Sequence, residues 1–165
     1  MHTIFQATEE HIPIIRSIAE KTWWPTYSAI LSTEQIRYML DTIYAEAVLK
    51  NLIESGAQTF LLLTDSRGIR GFAAYGIRKE EREVFKLHKL YVLPEDHGKG
   101  YGRFLIKEVA RRVKEEGGKA LDLNVNRHNP ATNFYSKLGF KTIREEDVPI
   151  GEYWMNDYVM RMDRL

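Results

Sequence analysis

Three alternating glycines, Gly98, Gly100 and Gly102, stand at the start of the most regular amphipathic helix that the sequence predicts. Backbone N–H groups at such a position have no helical partners and can converge on one anion, which the partial positive charge of a helix N-terminus also attracts. Lys99 and Arg103 add two formal positive charges to the same stretch. The chemistry predicted for this loop is therefore the binding of a phosphate group.

The spacing of the glycines does not match the two most familiar phosphate loops. A Walker A loop needs Gly-x4-Gly-Lys-Ser/Thr, which occurs nowhere in the chain. A dinucleotide fingerprint needs Gly-x-Gly-x-x-Gly, and Arg103 stands where its last glycine would follow from Gly98. The sequence therefore disfavours a nucleotide-dependent switch.

Composition narrows the function classes further. The chain has 165 residues, no cysteine, and 24 Lys and Arg against 23 Asp and Glu, which gives a net charge of +1. The lack of cysteine removes thiol nucleophiles, disulfides, iron–sulfur clusters and thiolate zinc sites. The small net charge provides no global field for nucleic acid or an anionic membrane, and no apolar run can span a bilayer. We expect one domain over residues 1–165, in the cytoplasm, with neither nucleic acid nor membrane as a partner.

The elements that position the loop follow from hydrophobic periodicity. Helices are expected after the N-cap Thr8 as far as residues 23–25, from Ser32 or Thr33 through 43, and over 45–54, 100–116 and 130–138. Strands are expected at 4–7, 58–64, 69–77, 83–93, 120–126, 140–146 and 153–161. This order predicts the α+β class with a mixed sheet, rather than a regular parallel α/β array.

The predicted strand at 120–126 alternates strictly between apolar and polar residues. Leu121, Leu123 and Val125 point one way, and Asp122, Asn124 and Asn126 point the other. The strand therefore presents two chemically different faces.

Two motifs resemble those of the GNAT superfamily of acyl-CoA-dependent N-acetyltransferases. The first is Leu90-Tyr-Val-Leu-Pro94 followed by His97-Gly-Lys-Gly-Tyr-Gly102, and the second is Asn129-Pro-Ala-Thr-Asn-Phe-Tyr-Ser-Lys-Leu-Gly-Phe140. His97 departs from the family, whose members usually carry Gln or Arg there. Trp23-Trp-Pro-Thr-Tyr27 and residues 31–40 resemble the bacterial PaiA-type spermine/spermidine acetyltransferase branch. The resemblance implies the GNAT fold, a mostly antiparallel, seven-stranded twisted sheet flanked by helices.

The resemblance also implies acetyl-CoA as co-substrate. No metal is expected, because His88, His97 and His128 lack the i, i+4 spacing of a helical metal site. In the family, the strand before the loop and the strand at 120–126 part like a V, and pantetheine lies in the gap. The implied cofactor contacts are the backbone of Leu90, Tyr91 and Val92, the loop residues His97, Gly98, Lys99, Gly100, Tyr101, Gly102 and Arg103, and, downstream, Asn129 and Tyr135. His128 is an alternative to Asn129, because the spacing to the following alanine is one residue shorter than is common.

Tyr135 matches the general acid of the family. Attack of an amine on a thioester leaves a thiolate that needs a proton or a hydrogen bond, and a tyrosine hydroxyl with a pKa of about 10 can donate. His88, on the strand face expected to hold Leu90 and Val92, is a candidate base for the protonated amine. The alternatives are a tyrosine that packs beside Phe134, a half-exposed strand histidine, and a water relay that takes the proton.

Aromatic and acidic side chains could bind the amine. Trp24 and Tyr27 are the main candidates, with Tyr38 and Tyr44 beside them, since aromatic faces suit cationic amines. The same residues could equally be core aromatics of the N-terminal helices. The acidic run at 145–147 could attract a polyamine, although charge runs usually form solvated faces.

The favoured function is acetyl transfer from acetyl-CoA to a primary amine, preferably a polyamine or another small amine, by direct attack in a ternary complex. The chain has no cysteine to carry a covalent acetyl group, which agrees with direct attack. The alternatives are a non-catalytic acyl-CoA-binding sensor or partner module, and a protein or peptide N-acetyltransferase. The resemblance also implies that two copies can pair into a homodimer.

Overall fold

One mixed sheet of seven strands organises the protein. The computed structural model describes residues 1–165, and its strands are β1 (Thr3–Gln6), β2 (Thr59–Asp65), β3 (Gly68–Ile77), β4 (Val84–Val92), β5 (Ala120–Asn126), β6 (Lys141–Ile150) and β7 (Tyr153–Met162). Their spatial order is β1-β2-β3-β4-β5-β7-β6. Only β4 and β5 run parallel, and every other neighbouring pair is antiparallel. The predicted α+β class with a mostly antiparallel seven-stranded sheet is confirmed.

Five α-helices flank the sheet: α1 (Ile12–Tyr27), α2 (Thr33–Ile43), α3 (Glu46–Ser55), α4 (Tyr101–Glu115) and α5 (Ala131–Lys137). Ser32 caps α2, because its Oγ accepts a hydrogen bond from the Gln35 N–H at 3.1 Å. Gly56 ends α3 with a φ of +74°, a conformation that glycine adopts without a Cβ penalty. None of the helices has the length and apolar character needed to cross a membrane.

Helix α1 is longer than its sequence predicts. The expectation that it ends at residues 23–25 is wrong, since α1 continues through Pro25 to Tyr27. Proline removes one backbone donor, but the hydroxyl of Thr26 donates to the carbonyl of Thr22 at 2.7 Å and adds a bond in this turn. Tyr27 is only 6% exposed, so core packing also holds the last turn in place.

The two faces of the sheet carry separate hydrophobic cores. One core lies between the sheet and α1–α3, and the other lies under α4. The first is built around Ile15, Ile18, Leu49, Phe60 and Phe72, and the second around Leu105, Val109, Val113, Leu121 and Leu123. The sheet is therefore packed on both faces.

A bulge in β4 separates it from β5. Ala74 of β3 lies opposite Lys89, but the next residue, Tyr75, lies opposite Leu87, so His88 is an extra residue in the strand. Bulges bend a strand and increase its twist. Pairing between β4 and β5 ends at Leu87 and does not resume. The expected V-shaped parting of these two strands is confirmed.

A buried carboxylate holds the closed end of this V. Asp122 of β5 has no exposed surface and accepts hydrogen bonds from Arg78 at 2.9 Å and from Arg161 of β7 at 2.7 Å. Arg78, which directly follows β3, and Arg161 of β7 are thus tied to one carboxylate of β5. The polar face of β5 is therefore an internal ion-pair network at this position, not a solvated surface.

Asp122→Asn should lower the free energy of unfolding by about 3 kcal/mol, because it leaves two partly buried guanidinium groups without their charge partner. Glu81→Gln is a matched control, since Glu81 contacts the same Arg161 at 3.3 Å but is largely exposed. We expect that control to change stability by less than about 1 kcal/mol. Urea denaturation measures both values, and equal losses in the two variants would contradict the role of Asp122.

Candidate active site

The parting of β4 and β5 opens a cleft of about 810 Å³. It is walled by the end of α1, the second half of β4, the glycine loop, β5 and α5. Most of the predicted site residues line it: Tyr27, His88, Leu90, Tyr91, Val92, His97, Gly98, Gly100, Tyr101, Gly102, Arg103, Asn129 and Tyr135. Lys99 and Trp24 do not line it.

The glycine loop has the backbone geometry of an anion cradle. Gly98 and Gly100 have φ values of +86° and +83°, which favour glycine over other residues. Helix α4 begins at Tyr101, so the N–H groups of its first turn have no partner within the helix. A Cβ on Gly102 would lie 3.3 Å from the ring of Phe134, so this glycine also permits close approach of α4 and α5.

A buried carboxylate fixes the start of the loop. Asp96 is 1% exposed and accepts hydrogen bonds from Arg67 at 2.7 Å, Arg70 at 2.6 Å and Lys99 at 2.9 Å. Burial alone would raise the pKa of Asp96, but Lys99, Arg67 and Arg70 together hold it below its ordinary value. The expectation that Lys99 contacts the cofactor is therefore at odds with the structure, since its ammonium group is committed to Asp96.

Other side chains of the loop are also tied to the protein. The Tyr101 hydroxyl donates to Asp65 at 2.7 Å, and Nε2 of His97 lies 2.9 Å from the carbonyl oxygen of Val92. Arg103 lines the cleft and forms no ion pair. Arg103 is thus the cationic side chain of this loop that is available to bind an anionic ligand.

Tyr135 projects from α5 into the cleft. Its hydroxyl forms no hydrogen bond within the protein, and its ring packs against Phe140 with centroids 5.8 Å apart. Burial raises the pKa of Tyr135, and neighbouring Tyr27 adds to the shift. Tyr135 therefore stays protonated at physiological pH and can donate a hydrogen bond.

His88 lies at the mouth of the V, on a different face from the expected one. Its Nε2 is 3.7 Å from the position of a Cβ built on Gly76, whereas Leu90 and Val92 pack in the core under α4. The prediction that the three side chains share a face is wrong, because the bulge shifts the alternation by one residue.

The charge around His88 favours its neutral form. Partial desolvation by the cleft walls lowers the pKa of His88, and the positive charges of Lys86, Lys89 and Arg78 contribute to the same shift, although the residue keeps contact with solvent. A neutral imidazole can accept a hydrogen bond near pH 7. It holds a proton poorly, which argues against His88 as the resting place of a proton taken from an amine.

The bulge also explains a buried lysine. Lys89 is 7% exposed, and its Nζ donates to Gln58 at 2.6 Å and lies 5.3 Å from the centre of the Phe60 ring. Burial, followed by the charge of Lys86, lowers the pKa of Lys89 to about 8. Without the extra residue, simple alternation would have placed Lys89 on the face of Leu87, under α4.

The alternatives at the start of α5 are separated by the structure. Asn129 lines the cleft, and its Oδ1 accepts a hydrogen bond from the N–H of Ala131 at 2.9 Å, which fixes the first turn of the helix. His128 is exposed and does not line the cleft. No three histidine, cysteine, aspartate or glutamate side chains in the structure are grouped so as to hold a metal ion.

The candidate aromatic residues divide between the cleft and the helical layer. Tyr27 lines the cleft, and Tyr44 is buried in the core beneath α1 and α2. Trp24 faces away, since its indole N–H donates to Glu20 at 3.1 Å and the Arg37 guanidinium lies 5.9 Å from its ring centre. The expected contact between Trp24 and an amine is therefore at odds with this placement.

The comparisons with known proteins agree with this geometry. Residues 28–162 match the family described as the acetyltransferase (GNAT) domain. A spermidine N(1)-acetyltransferase of Thermoplasma acidophilum is 30% identical over 138 residues, which cover 80% of this chain and 83% of that protein. An uncharacterized N-acetyltransferase of Mycobacterium bovis is 29% identical over 147 residues, which cover 88% of this chain and 93% of that protein.

A solved structure extends the similarity to three dimensions. The PaiA N-acetyltransferase from Thermoplasma acidophilum, crystallised in complex with coenzyme A, is 27% identical and aligns over 99% of both chains with a TM-score of 0.84. The resemblance to PaiA-type proteins is thus confirmed in sequence and in fold. With a family match that spans most of its length, this chain belongs to the GNAT family of acetyltransferases.

Proposed function

We propose that this acetyltransferase moves the acetyl group of acetyl-CoA to a primary amine of a small polyamine, by direct attack in a ternary complex. The observation that carries the proposal is the cleft in which an unpaired strand edge, a glycine loop and Tyr135 meet. These three features match the three parts of the donor. The strand edge suits pantetheine amides, the loop suits the pyrophosphate, and Tyr135 suits the thioester sulfur.

The fit of the donor rests on groups that the cleft leaves available. Beyond Leu87 the edge of β4 that faces β5 has no ladder partner, so its backbone groups, apart from the Val92 carbonyl that His97 contacts, are free to pair with a pantetheine amide. The first-turn N–H groups of α4 and the side chain of Arg103 offer donors to a pyrophosphate. The PaiA relative was crystallised with coenzyme A, which supports the same donor here.

The reaction forms one bond and breaks another. The neutral amine nitrogen attacks the thioester carbonyl carbon, an N–C bond forms, the C–S bond breaks, and the amine loses a proton. Because burial raises the pKa of Tyr135, we assign its hydroxyl the donation of a hydrogen bond to the developing thiolate rather than complete proton transfer. Proximity of the two bound substrates provides the remaining rate enhancement.

We assign to His88 the role of a neutral hydrogen-bond acceptor. Its lowered pKa favours the neutral imidazole, whose unprotonated ring nitrogen can accept a hydrogen bond from the incoming amine or from water near the bulge. Because the pKa of His88 is lowered, we assign the final acceptance of the proton to water. The similarity to a spermidine N(1)-acetyltransferase supports a polyamine as the amine.

A panel of amines tests the proposed reaction. With acetyl-CoA present, thiol release should be fastest with spermidine and related polyamines, slower with arylalkylamines, and about background with peptides that carry a free N-terminus. The measurement is the initial rate of free thiol at a fixed amine concentration. A panel in which only peptides release thiol would contradict the small-amine assignment.

Tyr135→Phe should lower kcat about 100-fold and change the KM for acetyl-CoA less than about threefold, because it removes a hydrogen bond that matters chiefly in the transition state. Tyr158→Phe is the matched control, since Tyr158 lies on β7 outside the cleft. Steady-state kinetics with spermidine provide both constants. An unchanged kcat in Tyr135→Phe would remove Tyr135 from the mechanism.

Asp96→Asn should weaken the loop without touching the thioester. We expect kcat/KM for acetyl-CoA to fall about tenfold, because loss of the carboxylate charge frees Lys99 and loosens the loop at the pyrophosphate. S-acetylpantetheine has no pyrophosphate, so its kcat/KM should change less than about twofold. Normal turnover of this short donor also shows that the variant is folded, and equal losses with both donors would contradict the role of Asp96.

A further inference from the structure

A polar group of three side chains, Asn124, Glu146 and Asp157, lies beside the cleft on the sheet face that α4 does not cover. Asn124 of β5 lines the cleft, and its Nδ2 donates to Glu146 of β6 at 3.0 Å and to Asp157 of β7 at 3.2 Å. Three strands therefore bring one amide and two carboxylates together. The apolar face of β5, which carries Leu121 and Leu123, packs on the opposite side under α4.

The orientation of the Asn124 amide is set by its neighbours. Ionised carboxylates only accept hydrogen bonds, so the NH₂ group must face Glu146 and Asp157. This leaves Oδ1 of Asn124 without a partner, and Oδ1 of Asp157, a residue only 6% exposed, also has none. Unpaired buried acceptors are unfavourable, so a ligand that donates hydrogen bonds would stabilise these three side chains.

The charge of the group favours a cation. Burial is the main cause that raises the pKa of Asp157. Burial also lowers the pKa of Lys86, which lies on β4 near Asp157 and Glu146 but forms no ion pair with either carboxylate. The Glu146 carboxylate is 39% exposed and has only Arg144 at 3.7 Å as an ion partner. The guanidinium of Arg127 forms its ion pair with Asp147, at 2.9 Å, and not with Glu146 or Asp157. Asp157 therefore has no cation paired to it, and only the partly buried Lys86 and the exposed Arg144 offset the two negative charges.

The position of the group relates it to the reaction. The last paired residues of the parallel strands are Leu87 and Leu123, so His88 and Asn124 are the first residues beyond the junction. Both line the same cleft, one on each arm of the V. An elongated amine with one nitrogen near His88 therefore has its other end within reach of the Asn124 group.

We propose that Asn124, Asp157 and Glu146 form a subsite that binds a second ammonium group of the acceptor and so selects diamines and polyamines over monoamines. Glu146 makes the direct contact, since its carboxylate is 39% exposed, and the buried Asp157, which is hydrogen-bonded to Asn124, adds its charge. The subsite deepens the proposed function and rests on it, because it assigns the recognition of the amine to particular residues.

A pair of isosteric amines tests the subsite. 1,4-Diaminobutane and n-pentylamine differ in whether an ammonium or a methyl group ends the chain, so the ratio of their kcat/KM values reports the second ammonium alone. We expect the wild type to favour the diamine, and Glu146→Gln to lower kcat/KM for the diamine about tenfold while changing n-pentylamine less than about twofold. Asp157→Asn should act in the same direction.

Glu145→Gln is the matched control, because Glu145 is the neighbouring carboxylate of β6, is 64% exposed and pairs with Arg127 at 3.8 Å. It should leave both amines unchanged. A ratio that Glu146→Gln does not alter, or an equal fall for both amines, would overturn the subsite and leave the acetyl transfer standing.

A binding measurement separates the subsite from the reaction itself. If the wild type released thiol with neither of these amines nor with spermidine, the proposed function would fail. Stabilisation of the wild type by 1,4-diaminobutane in thermal unfolding, and its loss in Glu146→Gln, would still support the subsite. Equal stabilisation of both proteins, or of neither, would overturn it.

Discussion

The interruption of pairing between β4 and β5 is the constraint on which the site depends. After Leu87 the two strands share no hydrogen bond, and the extra residue His88 turns β4 away from its neighbour. One inserted residue thus has three effects: it frees a strand edge, opens the cleft, and reverses the side-chain alternation along the rest of β4. The buried position of Lys89 and the placement of Leu90 and Val92 under α4 follow from the same insertion.

Two buried carboxylates brace this opening from opposite ends. Asp122 ties Arg78 and Arg161 together where the strands are still paired, and Asp96 ties Arg67, Arg70 and Lys99 together beneath the loop at the open end. Each carboxylate meets at least two cations, so burial of its charge is compensated by short hydrogen bonds. A gap between strands would otherwise be a weak point of the sheet, and these ion pairs connect the elements on its two sides.

Much of the site could be predicted from local pattern, because the glycine loop, the helix after it and the alternation of β5 each depend on neighbouring residues alone. Tertiary contacts decided the rest. The helix runs through Pro25 because Tyr27 is buried, and Lys99 turns from the cleft because Asp96 is placed against Arg67 and Arg70, far away in sequence. The bulge at His88 does leave a mark in the sequence, since Phe85 and Leu87 are out of phase with Leu90 and Val92 across the polar pair at 88–89, but only the register with β3 identifies it as an inserted residue.

The anchoring of the glycine loop has a consequence for the thermodynamics of association. A flexible loop loses conformational entropy when a ligand orders it, which amounts to about 1–2 kcal/mol for each residue fixed. In this protein His97, Lys99 and Tyr101 are held by Val92, Asp96 and Asp65 through contacts of 2.7–2.9 Å that involve no ligand. The entropy cost of ordering the loop is therefore part of the free energy of folding. An anion that binds there meets a preorganised surface and does not have to compensate that cost.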